Sequence, residues 1–272
     1  MEAPQRGSRS PRLTSTYTQR YKYMKTLAIV NRRGGVGKTA TAHALGAGLA
    51  RRGYKVLYID LDSQCNLTYD VGAQTAPPTS IEVLSGTATA QEAIKRTEGG
   101  DIIPASPSLA IADTAIEGTG KEHRLREALE PLASQYDYCI IDTPPALGVL
   151  TVNALTASDR AIIPAQAEVH SLQGIGLLYE AIQAVQKYTN PALKVEGILI
   201  TRYRGRAILS KDMRENLEET ARELGTKLFS TPIRECIAIA EAQASQRDIY
   251  SYAPRSNASK DYNALVEEII ER

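Results

Sequence analysis

NRRGGVGKTAT, residues 31–41, is the most informative stretch of the chain, because it has the composition of a phosphate-binding loop between a strand and a helix. A short apolar run at 26–30 precedes it, and three of its residues are glycines. The common loop is written G-x-x-x-x-G-K-[ST], yet position 32, where its first glycine belongs, holds an arginine. The stretch is therefore either a damaged nucleotide site or a different one in which a basic residue belongs at the front.

The residue types in this loop suit a nucleoside triphosphate. Glycine lets backbone amides approach the phosphates, and a helix that starts near Lys38 adds the positive end of its dipole. Lys38 is placed to reach the β- and γ-phosphates, and Thr39 to give its hydroxyl to Mg²⁺. A Gly-rich turn that merely opens a helix is the alternative, and G-K-T at a strand-to-helix turn argues against it. The residues of the loop predicted to contact nucleotide are Gly34, Gly35, Val36, Gly37, Lys38, Thr39 and Ala40, with Lys38 also assigned to catalysis.

Short apolar runs alternate with helical patterns along the rest of the chain. Most of the runs are continuously apolar, which is typical of strands buried on both faces of a parallel sheet. Helices are predicted between them, for example over 171–188 and 210–225. The pattern predicts an α/β fold with a doubly wound, mostly parallel sheet. The predicted strands are 26–30, 55–60, 101–105, 138–142, 160–165, 195–201 and 227–232.

The chain divides into a short tail and one predicted domain. Residues 24–272 contain no internal repeat or linker, so we expect a single domain there. Residues 1–23 are rich in Ser, Thr, Arg and Gln and have little to bury, which predicts a disordered basic tail. Met24 directly precedes the first strand, so a mis-assigned start before Met24 explains the tail equally well.

Three aspartates follow predicted strands at the edge where ligands of open α/β sheets bind. Asp60 and Asp62 lie in YIDLDSQCN, and Asp142 lies in YDYCIIDTPPA. Asp142 suits a Mg²⁺ shell, through water, and Asp62 is placed to orient the attacking water. The predicted metal set is Thr39, Asp60 and Asp142. Each aspartate alone fits a strand-end turn or a helix cap, but three such features in one chain favour the nucleotide site.

Composition excludes several classes of protein. The 272 residues carry a formal net charge of +1, so the chain is neither a nucleic-acid polycation nor an acidic solvating protein. Its three cysteines are far apart in sequence, which disfavours a disulfide framework or a cysteine metal site and favours a reducing cytoplasm. No apolar run approaches the ~20 residues of a membrane span. The arginines near the N-terminus lack the apolar segment of a secretory signal.

Five segments together resemble the ParA/MinD group of deviant phosphate-loop ATPases, and more narrowly its ParA (Soj) type of chromosome- and plasmid-partition ATPase. They are RRGGVGKT, DLDSQCNLT, DYCIIDTPPALGVLTVNAL, PAQAEVHSLQGI and IAEAQASQRDIYSYAPRSNASKDYNAL, and the similarity extends over about 25–272. The family's loop reads K-G-G-x-G-K-[ST], so the missing first glycine is normal there. The resemblance implies a SIMIBI-like phosphate-loop NTPase fold, with ATP and Mg²⁺ as cofactors.

Residue roles follow from the resemblance, one position at a time. Arg33 stands where the family has its signature lysine, which reaches across an ATP-bound dimer to the partner's phosphates, so the resemblance assigns Arg33 to nucleotide contact and catalysis. Asp62 corresponds to the hydrolysis aspartate of D-x-D and Asp60 to its strand-end partner. Asp142 corresponds to the Walker B aspartate, and Gly34 to a glycine that must be small for the dimer to close. Arginine keeps the charge but replaces a point charge with a planar fork, so either hydrolysis is altered or Arg33 is a tolerated variant.

Two other branches of the group fit less well than the partition branch. A MinD-like membrane protein is expected to end in a basic amphipathic helix, whereas this chain ends in the acidic NALVEEIIER. An iron–sulfur branch needs cysteines at a dimer seam. The partition branch needs spread Lys and Arg residues that contact DNA phosphates. Candidates are Arg202, Arg204, Arg206, Lys211, Arg234, Arg255 and Lys260, although each alone also fits an ordinary surface charge.

The resemblance implies an ATP-dependent DNA-partition switch that is cytoplasmic, nucleoid-associated and free of membrane. Its ATP-bound homodimer would bind duplex DNA without sequence preference, and a ParB-type centromere-binding partner would stimulate its weak ATP hydrolysis. A related ATPase that positions a protein cargo on the nucleoid is the first alternative. A metabolic phosphate-loop enzyme that phosphorylates or amidates a small molecule is the second.

Overall fold

The structure, a computed structural model, describes residues 23–204 and 208–271. Its strands are β1 (Lys25–Ile29), β2 (Val56–Asp60), β3 (Asp101–Ile103), β4 (Tyr138–Asp142), β5 (Arg160–Gln166) and β6 (Lys194–Thr201). They form one parallel sheet in the order β3-β2-β4-β1-β5-β6. The predicted α/β fold with a doubly wound, mostly parallel sheet is confirmed. The predicted tail lies outside the described residues, apart from Tyr23.

Helices connect the strands, and the helices predicted over 171–188 and 210–225 are both present. Their bounds are α1 (Lys38–Ala50), α2 (Asn66–Asp70), α3 (Ser80–Ser85), α4 (Ala90–Ala93), α5 (Ala112–Ala115), α6 (Arg124–Leu129), α7 (Val149–Ala157), α8 (Val169–Tyr188), α9 (Ile208–Glu223), α10 (Ile237–Ala244), α11 (Ile249–Tyr252) and α12 (Asn257–Ile270). Short 3₁₀ helices lie at Pro107–Ile111, Lys121–His123 and Glu130–Leu132. None of the described helices is both long and apolar enough to cross a membrane.

Both faces of the sheet are buried, which explains why its strands are continuously apolar. Successive strand residues point to opposite faces, so Leu27 and Ile29 enter one hydrophobic cluster while Ala28 enters the other. The first cluster includes residues of α1 and α12. The second includes residues of α7 and α8. The sheet is therefore covered by helices on its two sides, as a doubly wound fold requires.

The prediction of a strand at 227–232 is wrong, because this segment does not form a regular strand of the sheet. This segment runs beside β6, where Ile198 N donates to Lys227 O at 2.8 Å and Phe229 N donates to Ile198 O at 2.9 Å. Only an isolated bridge joins Ile198 to Leu228. Pro232 has no N–H to donate to a ladder, so the pairing does not extend into a strand.

α1 packs very closely on the sheet, and two of its glycines make this possible. A Cβ at Gly46 would lie 2.2 Å from a ring carbon of Tyr58 in β2. A Cβ at Gly48 would lie 2.6 Å from the hydroxyl of Tyr250 in α11. The C-terminal half of α1 is therefore held closely against β2 and α11, and the opposite end of the helix follows the Gly-rich loop.

Candidate active site

The Gly-rich loop follows β1 and is anchored to the strands beside it. Asn31 Nδ2 donates to Pro164 O in β5 at 2.6 Å, and Asn31 Oδ1 accepts from Arg33 N at 2.9 Å. Thr201 Oγ1, at the end of β6, donates to Val36 O at 2.8 Å. Gly35 and Gly37 have φ values of 72° and 85°, a region that favours glycine. The loop is thus held by strand ends and shaped by glycines, as a phosphate loop requires.

Lys38 is a buried cation inside this loop. Its Nζ donates to Arg33 O at 3.1 Å, and the residue is 7% exposed. Burial lowers the pKa of Lys38, and the nearby carboxylates of Asp142 and Asp62 oppose that shift. Within the described residues its ammonium donates to a carbonyl oxygen, and a desolvated ammonium held in this way is well suited to receive phosphate oxygens.

Asp142, at the end of β4, has one satisfied and one unsatisfied oxygen. Its Oδ2 accepts from Thr39 Oγ1 at 2.6 Å. Its Oδ1 is buried without a hydrogen-bond partner in the part of the chain that the structure describes. Burial, and then the charge of Asp60, raises the pKa of Asp142 well above its ordinary value. A divalent cation beside Asp142 and Thr39 would compensate this buried carboxylate, so these two residues fit Mg²⁺.

Asp60 and Asp62 have different surroundings although they are two residues apart. Asp60 is fully buried, and its carboxylate accepts hydrogen bonds from the N–H and hydroxyl of Thr68, both at 2.8 Å, and from Asp62 N at 3.0 Å. Burial raises the pKa of Asp60 to about 6, against the effect of the Thr68 hydrogen bonds. Asp62 is partly exposed, and its Oδ1 accepts from Gln64 N at 3.0 Å. Asp60 therefore orders the loop, whereas Asp62 faces the cavity.

No cluster of three His, Cys, Asp or Glu side chains in residues 23–204 and 208–271 is arranged to hold a metal by itself. Asp60 would have to give up hydrogen bonds to contact a metal directly, so its place in the metal set stays a prediction. Mg²⁺ typically takes one or two protein ligands together with phosphate and water oxygens. The pair of Thr39 and Asp142 is consistent with that pattern.

The loop, Asp62 and segments from elsewhere in the chain surround one large cavity of about 930 Å³. Lys38, Thr39 and Asp62 line one part of it, and Arg202 and Arg234 line another. The cavity is of the size that small-molecule and cofactor sites occupy. The sequence predicts that both arginines contact DNA and contains no signal that they line this cavity.

Arg33 forms an ion pair that the sequence did not reveal. Its Nη1 lies 2.7 Å from Glu168 Oε2, and the two side chains are 39% and 48% exposed. Glu168 directly precedes α8, just after β5, and therefore at the same sheet edge as the phosphate loop. The sequence did contain one signal for this contact. Glu168 lies two residues beyond the end of β5, at the sheet edge where ligands of parallel sheets bind.

The predicted DNA-contacting residues have different surroundings. Arg234 forms a two-pronged contact with the buried Asp261, including 2.6 Å from Nη2 to Oδ1, and Arg204 Nη2 donates to Glu235 Oε1 at 3.1 Å. Arg202 has a positive φ of 50°. Arg255 and Lys260 are exposed. Arg206 and the side chain of Lys211 lie outside the described residues, and the DNA-binding role of the whole set stays a prediction.

A parallel α/β sheet with a Gly-rich loop opening α1, a buried lysine followed by a threonine, and an aspartate at the end of a neighbouring strand defines a phosphate-loop nucleotide hydrolase. Residues 24–195 match the family model described as AAA domain. The chain belongs to this family, and within it to the ParA/Soj-type partition ATPases, as the following relatives show.

The chain is 39% identical over 250 residues to the sporulation initiation inhibitor protein Soj of Bacillus subtilis, covering 90% of this chain and 98% of that protein. It is 36% identical over 256 residues to the chromosome partitioning protein ParA of Caulobacter vibrioides, covering 92% and 95% of the two chains. Among solved structures, a cobyrinic acid a,c-diamide synthase from Mycobacterium smegmatis, with bound ATP analog and magnesium, superimposes with a TM-score of 0.80 at 33% identity. That match covers 91% of this chain and 95% of the other.

Proposed function

We propose that the chain is an ATP-dependent DNA-partition switch, which binds ATP and Mg²⁺, dimerises, binds duplex DNA without sequence preference and is released when ATP is hydrolysed. The observation that supports this most is the partly exposed Arg33 beside the loop, whose guanidinium pairs with Glu168 while Lys38 lies inside the loop. Arg33 is thus available to a second copy of the chain. The Soj and ParA relatives support the partition role.

ATP would place its phosphates in the loop, with Lys38 at the β- and γ-phosphates and the α1 amides around them. Thr39 and Asp142 would hold Mg²⁺, which neutralises charge on the phosphates during transfer. Asp62 would orient the attacking water, because its carboxylate lies on the cavity while Asp60 fixes the backbone beneath it.

Dimer closure would require Arg33 to leave Glu168. The ion pair is partly exposed, and such pairs contribute roughly 0–1 kcal/mol. Contact with the phosphates of a partner-bound ATP is a charge-assisted interaction of greater strength, about 1.5–3 kcal/mol for a hydrogen bond to a charged group. ATP thereby favours the dimer by differential binding.

DNA binding would depend on the dimer because two copies double the number of phosphate contacts. Arg255 and Lys260 are exposed candidates for those contacts, with Arg206 and Lys211 outside the described part of the surface. A ParB-type centromere-binding partner would stimulate hydrolysis at Asp62, and the opened dimer would leave the DNA. The protein would accordingly be cytoplasmic and nucleoid-associated. The tail at 1–23 and the single domain at 24–272 complete the proposed organisation.

The test is to measure the sedimenting mass and ATP turnover of the purified chain with ATP, with ADP and without nucleotide. We expect a dimer with ATP alone, slow turnover, and a longer-lived dimer for Asp62→Ala. A monomer under all conditions, together with fast turnover of a small-molecule substrate, would contradict the proposal and favour a metabolic enzyme. Recovery of a non-DNA-binding protein as the stimulating partner would favour the cargo-positioning alternative.

A further inference from the structure

The first turn of α7 is capped by a side chain from another element. Gly148, which precedes α7, supplies no side-chain cap. Instead, Asp113 Oδ1 accepts the Val149 N–H at 2.8 Å, from α5 and 36 positions earlier in the chain. A carboxylate at a helix N-terminus satisfies an unpaired amide and interacts favourably with the helix dipole. Asp113 is therefore the residue that holds the start of α7.

The space for this contact exists because residue 148 is glycine. A Cβ at Gly148 would lie 2.8 Å from both carboxylate oxygens of Asp113. Any larger residue would push the carboxylate away from Val149. Gly148 and Asp113 are thus complementary, and either one can be changed to disturb the same contact.

The loop at 143–148 connects Asp142 to the capped first turn of α7. At the start of this loop, Thr143 Oγ1 donates to Ile29 O at 2.8 Å. In the middle of the loop, Ala146 O accepts from Thr151 Oγ1 of α7 at 2.6 Å. The cap by Asp113 fixes its far end. Residues 144–146 and 148–150 line the same cavity as Lys38, Thr39 and Asp62. A shift of the first turn of α7 would therefore move the wall beside the phosphates.

We infer that Asp113 is a positioning residue for ATP hydrolysis, which sets the loop at 143–148 through its hydrogen bond to the first turn of α7. The inference rests on the proposed ATPase function and adds a residue outside the phosphate loop and the strand-end aspartates. Asp113 itself lines the cavity, but its hydrogen bond is to the backbone at the start of α7. We therefore expect Asp113 to affect the arrangement in which water attacks more than the binding of ATP to Lys38 and the loop amides.

The experiment measures kcat and KM for ATP in four variants and in the unsubstituted chain. Asp113→Ala is expected to lower kcat about tenfold, equivalent to about 1.4 kcal/mol in the activation barrier, because the loop beside the phosphates loses its fixed position, with KM for ATP within about twofold. Asp113→Asn keeps an acceptor oxygen and should retain most of the rate. Gly148→Ala should reproduce the loss. The double variant Asp113→Ala, Gly148→Ala should be no slower than either single variant, because both changes break one contact.

Glu117 is an exposed carboxylate just after α5. Its substitution, Glu117→Ala, is the matched control and should leave kcat unchanged. Unchanged kcat in Asp113→Ala, equal loss in Asp113→Asn and Asp113→Ala, or additive losses in the double variant would each overturn the inference. A complete lack of ATP turnover by the unsubstituted chain would instead overturn the proposed function and this inference with it.

Discussion

The guanidinium of Arg33 and the carboxylate of Glu168 form an ion pair beside the phosphate loop, with 2.7 Å between Nη1 and Oε2. The pair joins the first residue of the deviant loop motif to the residue that precedes α8. It holds within one copy the same cation that we propose to act on the nucleotide of a second copy. The ion pair and the dimer contact therefore compete for one side chain.

Removing the competing carboxylate should favour the dimer. We expect Glu168→Gln to lower the ATP concentration at which half of the chain is dimeric by roughly two- to fivefold, because a partly exposed ion pair contributes up to about 1 kcal/mol. Sedimentation across an ATP titration measures this. Glu180→Gln, an exposed carboxylate on the same helix, is the control. A shift to higher ATP concentration in Glu168→Gln would show that Glu168 supports the dimer.

Arg33 itself should matter to dimer formation more than to ATP binding. Arg33→Ala is expected to bind ATP as a monomer within a few-fold of the unsubstituted chain, and to weaken the ATP-bound dimer by roughly 10- to 100-fold, since a charge-assisted contact is worth about 1.5–3 kcal/mol. Arg33→Lys keeps the charge and should keep the dimer. Equilibrium ATP binding at low protein concentration and sedimentation at high concentration separate the two effects. Arg32→Ala is the neighbouring control, and equal loss there would argue against a specific role.

The buried carboxylate of Asp142 should lower the stability of the nucleotide-free protein, although the same residue supports the proposed metal site. One buried oxygen of Asp142 has no hydrogen-bond partner among residues 23–204 and 208–271, and the pKa of Asp142 is raised, so the charged form is disfavoured without a cation. Asp142→Asn is therefore expected to raise the Tm of the nucleotide-free chain by about 2–4 °C for each kcal/mol gained, and to abolish Mg²⁺-dependent turnover. Differential scanning calorimetry and a turnover assay check the two signs. A fall in Tm would mean that the Asp142 charge stabilises the fold.

His43 should make stability depend on pH. The residue is buried in α1, and burial lowers its pKa to about 4, against the charge of Asp248. Between pH 6.5 and 4 the unfolded chain binds a proton at His43 that the folded chain does not, so this contribution to stability is lost as pH falls through that window, by up to about 3 kcal/mol. Raised pKa values at Asp60 and Asp70, each about 6, act in the opposite direction.

The comparison with His43→Gln isolates the histidine from those aspartates. Denaturant unfolding at pH 7 and pH 4.5 gives the free energy of unfolding of both proteins. Relative to His43→Gln, the free energy of unfolding of the unsubstituted chain should be lower at pH 4.5 than at pH 7. An unchanged difference would show that His43 titrates normally in the folded chain.

The close packing of α1 on β2 predicts a large effect of a small substitution. Gly46→Ala would place a Cβ 2.2 Å from the Tyr58 ring, which is fully buried, and overpacking of this kind typically costs about 1–3 kcal/mol. Gly174→Ala in α8 has open space around its Cβ and should be neutral or stabilising by up to about 1 kcal/mol. Urea unfolding of both variants measures the contrast. Equal stabilities would mean that α1 shifts away from β2 without cost.

The sequence indicated the fold well because its signals were local. Continuous apolar runs and the loop at 31–41 predicted the parallel sheet and the start of α1 from neighbouring residues alone. The segment at 227–232 has the composition of a strand, but the bend at residues 230 and 231 and the missing N–H of Pro232 limit its pairing to isolated contacts. The ion pairs of Arg33, Arg204 and Arg234 join residues up to 135 positions apart. No local sequence pattern identifies partners so far apart. Arg204 and Arg234 were therefore predicted to be free for DNA, whereas in the structure each is paired with a carboxylate.

Retention of the purified chain on non-specific duplex DNA, with ATP, with ADP and without nucleotide across a salt series, tests the proposed switch most directly. The switch predicts retention with ATP alone, and affinity that falls steeply with salt because the contacts are to phosphates. Equal retention without nucleotide, or none with ATP in a chain that still dimerises, would contradict it.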